Sequence, residues 1–329
     1  MLLAVSGLQK RFNLEAGFFA RFGRSVNAVN GVSFSIGDNE SYGLVGESGC
    51  GKTTTARLLV RIYEADGGSI FYRREDSQID VGALDKEGLR QYRRKVRYVF
   101  QDPARSLNPR MTIYEILVSG LRKAGAYTAY AAHTAHTAYT EKQLREKAAL
   151  ALEEVGLSAS DLERRPAEFS GGQRQRVSIA RGLLPQPRLL ICDEVVSALD
   201  VSIQAQILNL LLDIRAKREM SFLFIAHDLK VACYFCDRIG VMYSGELMEE
   251  APAANLWREG RHPYTLALFA SATGMKAAPG PFPFADARSA PARCSFAPRC
   301  SKASGRCLSE PPPVRTIAPG HTIRCHVIE

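Results

Sequence analysis

Residues 46–53 form a glycine-rich loop that ends in a lysine and a hydroxyl, with the sequence Gly-Glu-Ser-Gly-Cys-Gly-Lys-Thr. The loop follows a short apolar run and opens a helical one, so its peptide N–H groups and a helix N-terminus can face one anion. Lys52 would bridge the β- and γ-phosphates, and the Thr53 hydroxyl would ligate Mg²⁺. The residues predicted to bind nucleotide here are Gly46, Glu47, Ser48, Gly49, Cys50, Gly51, Lys52, Thr53 and Thr54.

Two carboxylates, Asp193 and Glu194, end a second apolar run at residues 189–192. At the C-terminal edge of a parallel sheet, both acids can reach a ligand that is held at that edge. Asp193 is suited to hold Mg²⁺, commonly through water, and Glu194 is suited to polarise an attacking water. Such a strand end is common by itself. Together with the glycine-rich loop of residues 46–53, which we call the phosphate loop, it predicts an ATPase.

Hydrophobic patterning indicates the elements that position these groups. Short apolar runs alternate with longer amphipathic stretches, which is typical of a parallel α/β sheet. Strands are expected at residues 42–45, 96–100, 189–192, 222–226 and 239–243. Helices are expected at residues 53–61, 141–155 and 201–218. Residues 102–169 show helices and no convincing strand, which predicts a helical subdomain inserted into the sheet.

The overall composition is that of a globular protein. The chain has 329 residues, of which 46% are hydrophobic and 23% charged, and this excludes disordered and fibrous classes. No apolar run approaches the roughly 18 residues of a membrane-spanning helix, and the N-terminus lacks the features of a signal peptide. A soluble, cytosolic chain is expected.

The composition changes near residue 250. Eleven of the 16 prolines lie in residues 251–329, where ten Lys and Arg accompany only four Asp and Glu. Proline at this density discourages long helices and central strands. We therefore expect an ATPase domain over residues 1–250 and a separate, loop-rich extension over residues 251–329 that carries +6 of the +9 formal net charge.

Four of the eight cysteines lie in this extension with the spacing C-x5-C-x6-C-x17-C. Soft thiolates in a loop-rich segment indicate a metal or cluster site, either iron–sulfur or zinc. Four unrelated thiols are the alternative, because the spacing is not that of a short C-x2-C zinc finger. His321 and His326 could substitute as zinc ligands. The predicted ligands are Cys294, Cys300, Cys307 and Cys325.

Four smaller motifs occur in order along the chain, each at a strand end or a helix start: Gln101, Ser170-Gly-Gly-Gln173, Asp200 and His227. With the phosphate loop, this set resembles the ATP-binding-cassette (ABC) ATPases over residues 3–249. The resemblance implies a P-loop NTPase fold, in which a RecA-like parallel sheet core carries an N-terminal antiparallel β subdomain and the inserted helical subdomain.

The resemblance also implies roles at the reacting phosphate. Glu194 is the expected general base for hydrolysis. Gln101 senses Mg²⁺ and the attacking water, and His227 contacts the γ-phosphate. Mg²⁺ would be held by Thr53, Gln101 and Asp193.

In this family, two ATPase domains clasp two ATP molecules head to tail. Ser170, Gly171, Gly172 and Gln173 therefore resemble a γ-phosphate site offered to the partner, and Asp200 would align the two sites across the interface. Adenine stacks on an aromatic residue near the N-terminus. Phe12 is the candidate for this contact, and Arg11 is the alternative.

Longer segments resemble one branch of the family, the oligopeptide and dipeptide importer ATPases. These segments are residues 101–109, 197–206, 224–229 and 262–265. The sequences of residues 46–51 and 197–200 are similar to those of the second, F-type ATPase of such systems. This similarity implies a heterodimer with a homologous ATPase. In this branch, the four cysteines imply a [4Fe-4S] cluster, with zinc as the alternative.

The resemblance implies further partners and a location. Two membrane permease subunits would dock near residues 101–115, and an extracytoplasmic substrate-binding protein would act indirectly, which places the chain at the cytoplasmic face of the inner membrane. One departure from the family is Val195, which stands where proline is usual and should soften the loop leading to Asp200.

Three alternatives remain at this point. The first is a non-transport ABC ATPase acting on nucleic acid or the ribosome; we expect no nucleic-acid partner, since few aromatics accompany the basic residues of the extension. The second is an importer of nickel or another non-peptide ligand. The third is a chiefly regulatory metal-binding module.

Overall fold

The computed structural model describes residues 1–14, 24–75, 77–121, 139–273 and 293–327. The strands are β1 (Leu3–Leu14), β2 (Arg24–Ile36), β3 (Ser41–Val45), β4 (Gly67–Arg74), β5 (Ser77–Asp80), β6 (Val96–Val99), β7 (Leu189–Asp193), β8 (Ser221–Ala226), β9 (Arg238–Tyr243), β10 (Glu246–Pro252), β11 (Val314–Ala318) and β12 (His321–Arg324). The helices are α1 (Lys52–Leu59), α2 (Lys86–Lys95), α3 (Pro103–Ser106), α4 (Ile113–Leu121), α5 (Glu141–Glu154), α6 (Gly171–Leu183), α7 (Val201–Arg218), α8 (Leu229–Phe235), α9 (Ala253–Glu259), α10 (Pro263–Thr273) and α11 (Gly305–Ser309).

The chain divides into two compact units. The first combines Met1–Ala83 with Phe224–Glu329, and the second is Leu84–Leu223. The boundary falls inside β8. The domain limits expected from the sequence, at residues 250 and 251, remain a prediction.

The first unit begins with an antiparallel sheet in the order β2-β1-β4-β5. Leu3 and Val5 of β1 are buried, as strand alternation requires, but the next core residue is Leu8. The register shifts between Val5 and Leu8, where Gly7 has φ +57°. This bulge changes the parity of the strand, so that Leu8 turns into the core.

The second sheet of the first unit contains β11-β12-β10-β9-β3 in that order. All five residues of β3 are buried, and β3 pairs in parallel with β9. Burial on both faces explains why β3 is apolar from Tyr42 to Val45 instead of alternating. The carboxyl end of β3 leads directly into the glycine-rich loop and α1.

The extension contributes two strands to this sheet, which differs from the expectation based on its prolines. β12 lies between β10 and β11 and pairs antiparallel with both. The neighbouring prolines lie outside these two strands. Pro311, Pro312 and Pro313 precede β11, and Pro319 lies in the turn before β12. A short central strand is therefore compatible with a proline-rich segment.

The second unit contains the parallel pair β6 and β7, with Val96 opposite Leu189 and Val99 opposite Cys192. Among the described residues between 102 and 169, the secondary structure consists of α3, α4, α5 and two short 3₁₀ segments. The start of α5 follows from its sequence, because Thr140 and Gln143 form a reciprocal capping box.

The predicted strands and helices are confirmed within one or two residues, and so is the α/β class with its N-terminal antiparallel sheet. In the part of the chain that the structure describes, no helix is both long enough and apolar enough to span a bilayer.

Two leucines of α5 offer a test of the packing in the second unit. Leu152 is fully buried, whereas Leu150 is 64% exposed on the same helix. We expect Leu152→Ala to lower the free energy of unfolding by about 2–5 kcal/mol through lost burial and a residual cavity. Leu150→Ala is the matched control and should change it by less than about 0.5 kcal/mol. Thermal denaturation of the full chain measures both, and equal losses would contradict the packing described.

Candidate functional site

The phosphate loop turns at two glycines with positive φ, and one of them also has no room for a side chain. Gly51 immediately precedes α1 and has φ +107°, and a Cβ built on it would lie 2.1 Å from the Ala28 carbonyl oxygen. Gly49 has φ +81°, but a Cβ there would meet nothing within 4 Å. The loop thus brings bare backbone to the N-terminus of α1, as anion binding requires.

Lys52 is buried inside this loop. Its ammonium donates hydrogen bonds to the carbonyl oxygens of Gly46 at 2.7 Å and Glu47 at 2.9 Å, and it lies 3.7 Å from the Cys50 sulfur. Burial raises the pKa of the Cys50 thiol, although Lys52 opposes this shift. Cys50 is therefore a small neutral residue next to a cation that the loop holds in place.

Glu47 is held by two residues that lie far away in the chain. Its peptide N–H donates to the Tyr264 hydroxyl at 2.8 Å. Its carboxylate accepts two hydrogen bonds from the Arg299 guanidinium, each 2.7 Å long. Arg299 holds the pKa of this carboxyl below its usual range. Both the loop backbone and its one acidic side chain are thus fixed from the C-terminal part of the chain.

An aromatic cluster supports these contacts. It consists of Tyr243, His262, Tyr264 and Phe296, with ring centroids 4.7–5.8 Å apart in the contacting pairs. The His262 peptide N–H donates to the buried Glu249 carboxylate at 3.0 Å, and the Nδ1 of its ring accepts from the Tyr264 N–H. Burial lowers the pKa of His262 to about 4, so the ring is neutral at neutral pH and can accept this bond.

The acidic pair of the second unit lies at the carboxyl end of β7, where Asp193 is the last strand residue and Glu194 follows it. Asp193 is 2% exposed and accepts a hydrogen bond from the hydroxyl of Tyr98, which lies on the neighbouring strand β6. Glu194 lies in the left-handed region with φ +50°, and its carboxylate accepts from the Gln101 amide at 2.8 Å. A left-handed non-glycine residue costs roughly 1–2 kcal/mol, a strain that is more frequent at functional sites than elsewhere.

Val195 follows this strained residue and is 2% exposed, so packing anchors the position at which the sequence resemblance expects proline. A softer loop toward Asp200 remains a prediction. Asp200 itself is exposed at the N-terminus of α7, and its side chain makes no capping hydrogen bond there.

Ser170 begins α6 and is exposed. Its hydroxyl accepts from the Gln173 N–H, and its own N–H donates to the Gln173 side chain. A Cβ on Gly172 would lie 2.7 Å from the Ile203 side chain. The segment predicted to contact a partner's γ-phosphate is therefore an ordered helix N-terminus that is open on its outer side.

The remaining predicted residues of the first unit lie on separate elements. His227 is exposed directly after β8. Phe12 is half-buried on β1, with Tyr63 edge-on at a centroid distance of 5.3 Å and the Lys10 ammonium 5.7 Å from its ring. Phe12 therefore offers an aromatic surface in a cationic setting, which suits the predicted adenine contact.

The four cysteines of the extension lie within electrostatic reach of one another. Burial is the main cause that raises the pKa of Cys300, followed by the neighbouring Cys325, Cys294 and Cys307 thiols. The Cys294 N–H donates to the Cys307 carbonyl at 3.0 Å. Within the described ranges, however, no group of three or more His, Cys, Asp or Glu side chains is arranged to hold a metal ion. The predicted metal site therefore stays a prediction.

Sequence reasoning missed three residues that orient the site: Tyr98, Tyr264 and Arg299. Tyr264 belongs to the His-Pro-Tyr-Thr segment, which the sequence analysis uses only as a family marker. Arg299 precedes Cys300 by one residue, and no spacing rule connects it with Glu47, which lies 252 positions earlier.

Comparisons with known proteins agree with this geometry. Residues 29–197 match the family model described as "ABC transporter", and residues 248–307 match "Oligopeptide/dipeptide transporter, C-terminal region". The chain is 40% identical to a putative oligopeptide transport ATP-binding protein, YkfD, of Bacillus subtilis, over 99% of this chain and 95% of the relative. It is 39% identical to the oligopeptide transport ATP-binding protein AppF of the same organism, over 99% and 97%.

A solved structure is similar in fold. It is the dimeric post-hydrolysis state of the ATP-binding cassette MJ0796 bound to ADP and Pi, with a TM-score of 0.64 and 25% sequence identity. The match covers 77% of this chain and 99% of the cassette.

The two loop glycines provide a test of the loop geometry. We expect Gly51→Ala to lower the melting temperature well beyond Gly49→Ala, since both positions have positive φ but only Gly51 lies against a carbonyl. The backbone strain at Gly49 should cost about 1 kcal/mol, and the additional clash at Gly51 several times more. Calorimetry of the two variants compares them directly, and equal shifts would show that the Ala28 carbonyl yields easily.

Proposed function

The chain belongs to the family of ABC transporter ATP-binding proteins, and from this membership we propose that it powers the uptake of di- and oligopeptides across the cytoplasmic membrane. The observation that carries the peptide assignment is the match of residues 248–307 to the C-terminal region of oligopeptide and dipeptide transporters. Full-length relatives with oligopeptide transport names support it. ATP hydrolysis is the activity of the family, and Mg²⁺ accompanies the nucleotide.

In the first unit, we propose that residues 46–54 bind the phosphates of ATP. The loop fits such an anion, because its glycines leave the backbone bare and Lys52 brings a buried ammonium. The Thr53 hydroxyl is the proposed ligand for Mg²⁺, which neutralises phosphate charge when bound. Phe12 is the proposed stacking partner of adenine, and His227 the proposed γ-phosphate contact.

In the second unit, Glu194 is the proposed general base. Its carboxylate is oriented by the Gln101 amide and by the left-handed turn after β7. Asp193, aligned by Tyr98, and Gln101 are the proposed Mg²⁺ ligands of this unit. Because the Gln101 amide donates to the Glu194 carboxylate, one side chain would connect the proposed Mg²⁺ ligands with the proposed general base.

We propose that this subunit works with a second, homologous ATPase in a heterodimer. The exposed helix start at Ser170, Gly171, Gly172 and Gln173 would contact the ATP of that partner, and the exposed Asp200 would align the interface. The capping box of α6 supports this role, because it holds the serine and the glycine amides at the helix N-terminus.

Residues 101–115 are the proposed docking surface for two membrane permease subunits. The segment is mostly exposed, but Leu107 is buried and the Arg181 guanidinium donates to the Ser106 carbonyl at 2.7 Å. A surface fixed in this way can transmit force. The subunit would then lie at the cytoplasmic face of the inner membrane, supplied by an extracytoplasmic substrate-binding protein.

We also propose that Cys294, Cys300, Cys307 and Cys325 hold an iron–sulfur cluster or a zinc ion. The spacing of the four thiols in the sequence supports this proposal. No step of ATP hydrolysis is derived through this group.

The proposed transport function predicts a ligand-dependent ATPase. Reconstituted in vesicles with its partner ATPase, permeases and peptide-loaded binding protein, the wild-type subunit should hydrolyse ATP faster with peptide than without it. Glu194→Gln should lower turnover by about 100-fold or more while ATP still binds, because it removes the proposed base.

The matched control is Lys52→Ala, which should lose nucleotide binding as well as turnover. Full turnover in Glu194→Gln would remove the general-base assignment. Stimulation of the ATPase by nucleic acid, with no membrane partner recovered, would overturn the transport function.

The cysteine proposal predicts a metal content. Anaerobically purified protein should be brown and contain iron and labile sulfide, and Cys300→Ser should lose them. Cys233→Ser, at a half-buried cysteine outside the set, is the control and should keep them. Stoichiometric zinc in a colourless protein would replace the cluster with zinc, and metal-free protein would exclude both.

A further inference from the structure

Glu47 and Arg299 form an ion pair on the phosphate loop itself. Glu47 is the second residue of the loop, and its carbonyl oxygen lies 2.9 Å from the Lys52 ammonium. An uncompensated carboxylate there would repel the phosphate groups of a nucleotide and compete with them for Lys52. In this structure the Arg299 guanidinium pairs with the Glu47 carboxylate and offsets its charge.

Neighbouring aromatic rings and a tight turn hold Arg299 in place for this contact. Its guanidinium lies 5.6 Å from the centroid of the Tyr243 ring and 5.9 Å from that of Phe296. Its backbone belongs to a tight turn in which the Ala297 N–H donates to Cys294 and the Cys300 N–H donates to Ala297. A planar guanidinium presented in this way can form two parallel hydrogen bonds to a carboxylate with little further loss of entropy.

The same turn is anchored in the core. Phe296 is 3% exposed and packs against Tyr264, whose hydroxyl accepts from the Glu47 N–H. The extension therefore contacts Glu47 twice, once through its peptide group and once through its carboxylate. One contact fixes the position of the residue and the other neutralises its charge.

We propose that Arg299 is a positioning residue for nucleotide binding: it holds and neutralises the Glu47 carboxylate, while Tyr264 holds the Glu47 backbone, so that this carboxylate does not oppose the phosphates. The inference rests on the proposed assignment of residues 46–54 to the phosphates. The turn that holds Arg299 also carries Cys294 and Cys300. A displacement of this turn would release Glu47 and would thereby change the affinity for nucleotide.

The test is a double-mutant cycle on the full chain with Mg-ADP as the probe, titrated by calorimetry at low salt and at about 1 M salt. Arg299→Gln should raise the dissociation constant of Mg-ADP about tenfold at low salt, and less at high salt, where the screening length falls to about 3 Å. Adding Glu47→Gln to Arg299→Gln should return it to within about twofold of wild type, because the repulsive charge is then absent.

Rescue by Glu47→Gln separates this role from a merely structural one, since a loop that Arg299 only braces would stay impaired in the double variant. Arg306→Gln is the matched control. It removes another exposed arginine of the extension, one paired with Glu310 at 3.1 Å, and should leave Mg-ADP binding unchanged. If Arg299→Gln does not fold, Arg299→Lys keeps the charge without the paired bonds and should weaken binding by less than tenfold.

Two results would overturn the inference: binding by Arg299→Gln within twofold of wild type, or a double variant as weak as Arg299→Gln. A failure of the proposed phosphate site looks different, because Lys52→Ala would then bind Mg-ADP like wild type. Loss of binding in Lys52→Ala with no effect in Arg299→Gln rejects the role of Arg299 alone.

Discussion

At Gly51 the chain turns from the phosphate loop into α1 with φ +107°, while the Ala28 carbonyl occupies the space that a Cβ would need. Any side chain at this position would meet the Ala28 carbonyl and would have to adopt a backbone conformation that L-residues rarely adopt. Lys52 follows at once, and because its ammonium is buried, the loop carbonyls must turn inward to solvate it. The remaining contacts of the first unit build on this shape.

The C-terminal extension is part of that support. Its Tyr264 contacts the loop backbone, and its Arg299 contacts the loop carboxylate. Its buried Phe296 packs against Tyr264 and lies beside Arg299. The neutral His262 fits the same scheme, since a protonated ring could not accept the Tyr264 N–H. An extension that looked from its composition like a separate appendage therefore contacts the loop proposed to bind the phosphates.

Local sequence signals were sufficient where structure depends on nearby residues. β3, the loop and α1 follow from an apolar run, glycines and a helix start, and α5 begins where its capping box stands. Signals of this kind could not reveal Arg299 on Glu47 or Tyr98 on Asp193, because these pairs depend on how distant segments fold together. Proline density also misled the expectation for β12, since its effect depends on whether each proline falls inside a strand or between strands.

In the extension, the positions of the charged side chains are more informative than the net charge. Its net +6 would suit a polyanionic partner if the basic side chains were free. Three of its arginines instead pair with carboxylates: Arg299 with Glu47, Arg306 with Glu310 and Arg324 with Glu246. Two of these carboxylates belong to the first 250 residues, so part of the charge asymmetry along the chain disappears when the chain folds. Part of the positive charge of the extension therefore neutralises carboxylates of the ATPase within the same chain. One of these carboxylates, Glu47, lies on the phosphate loop.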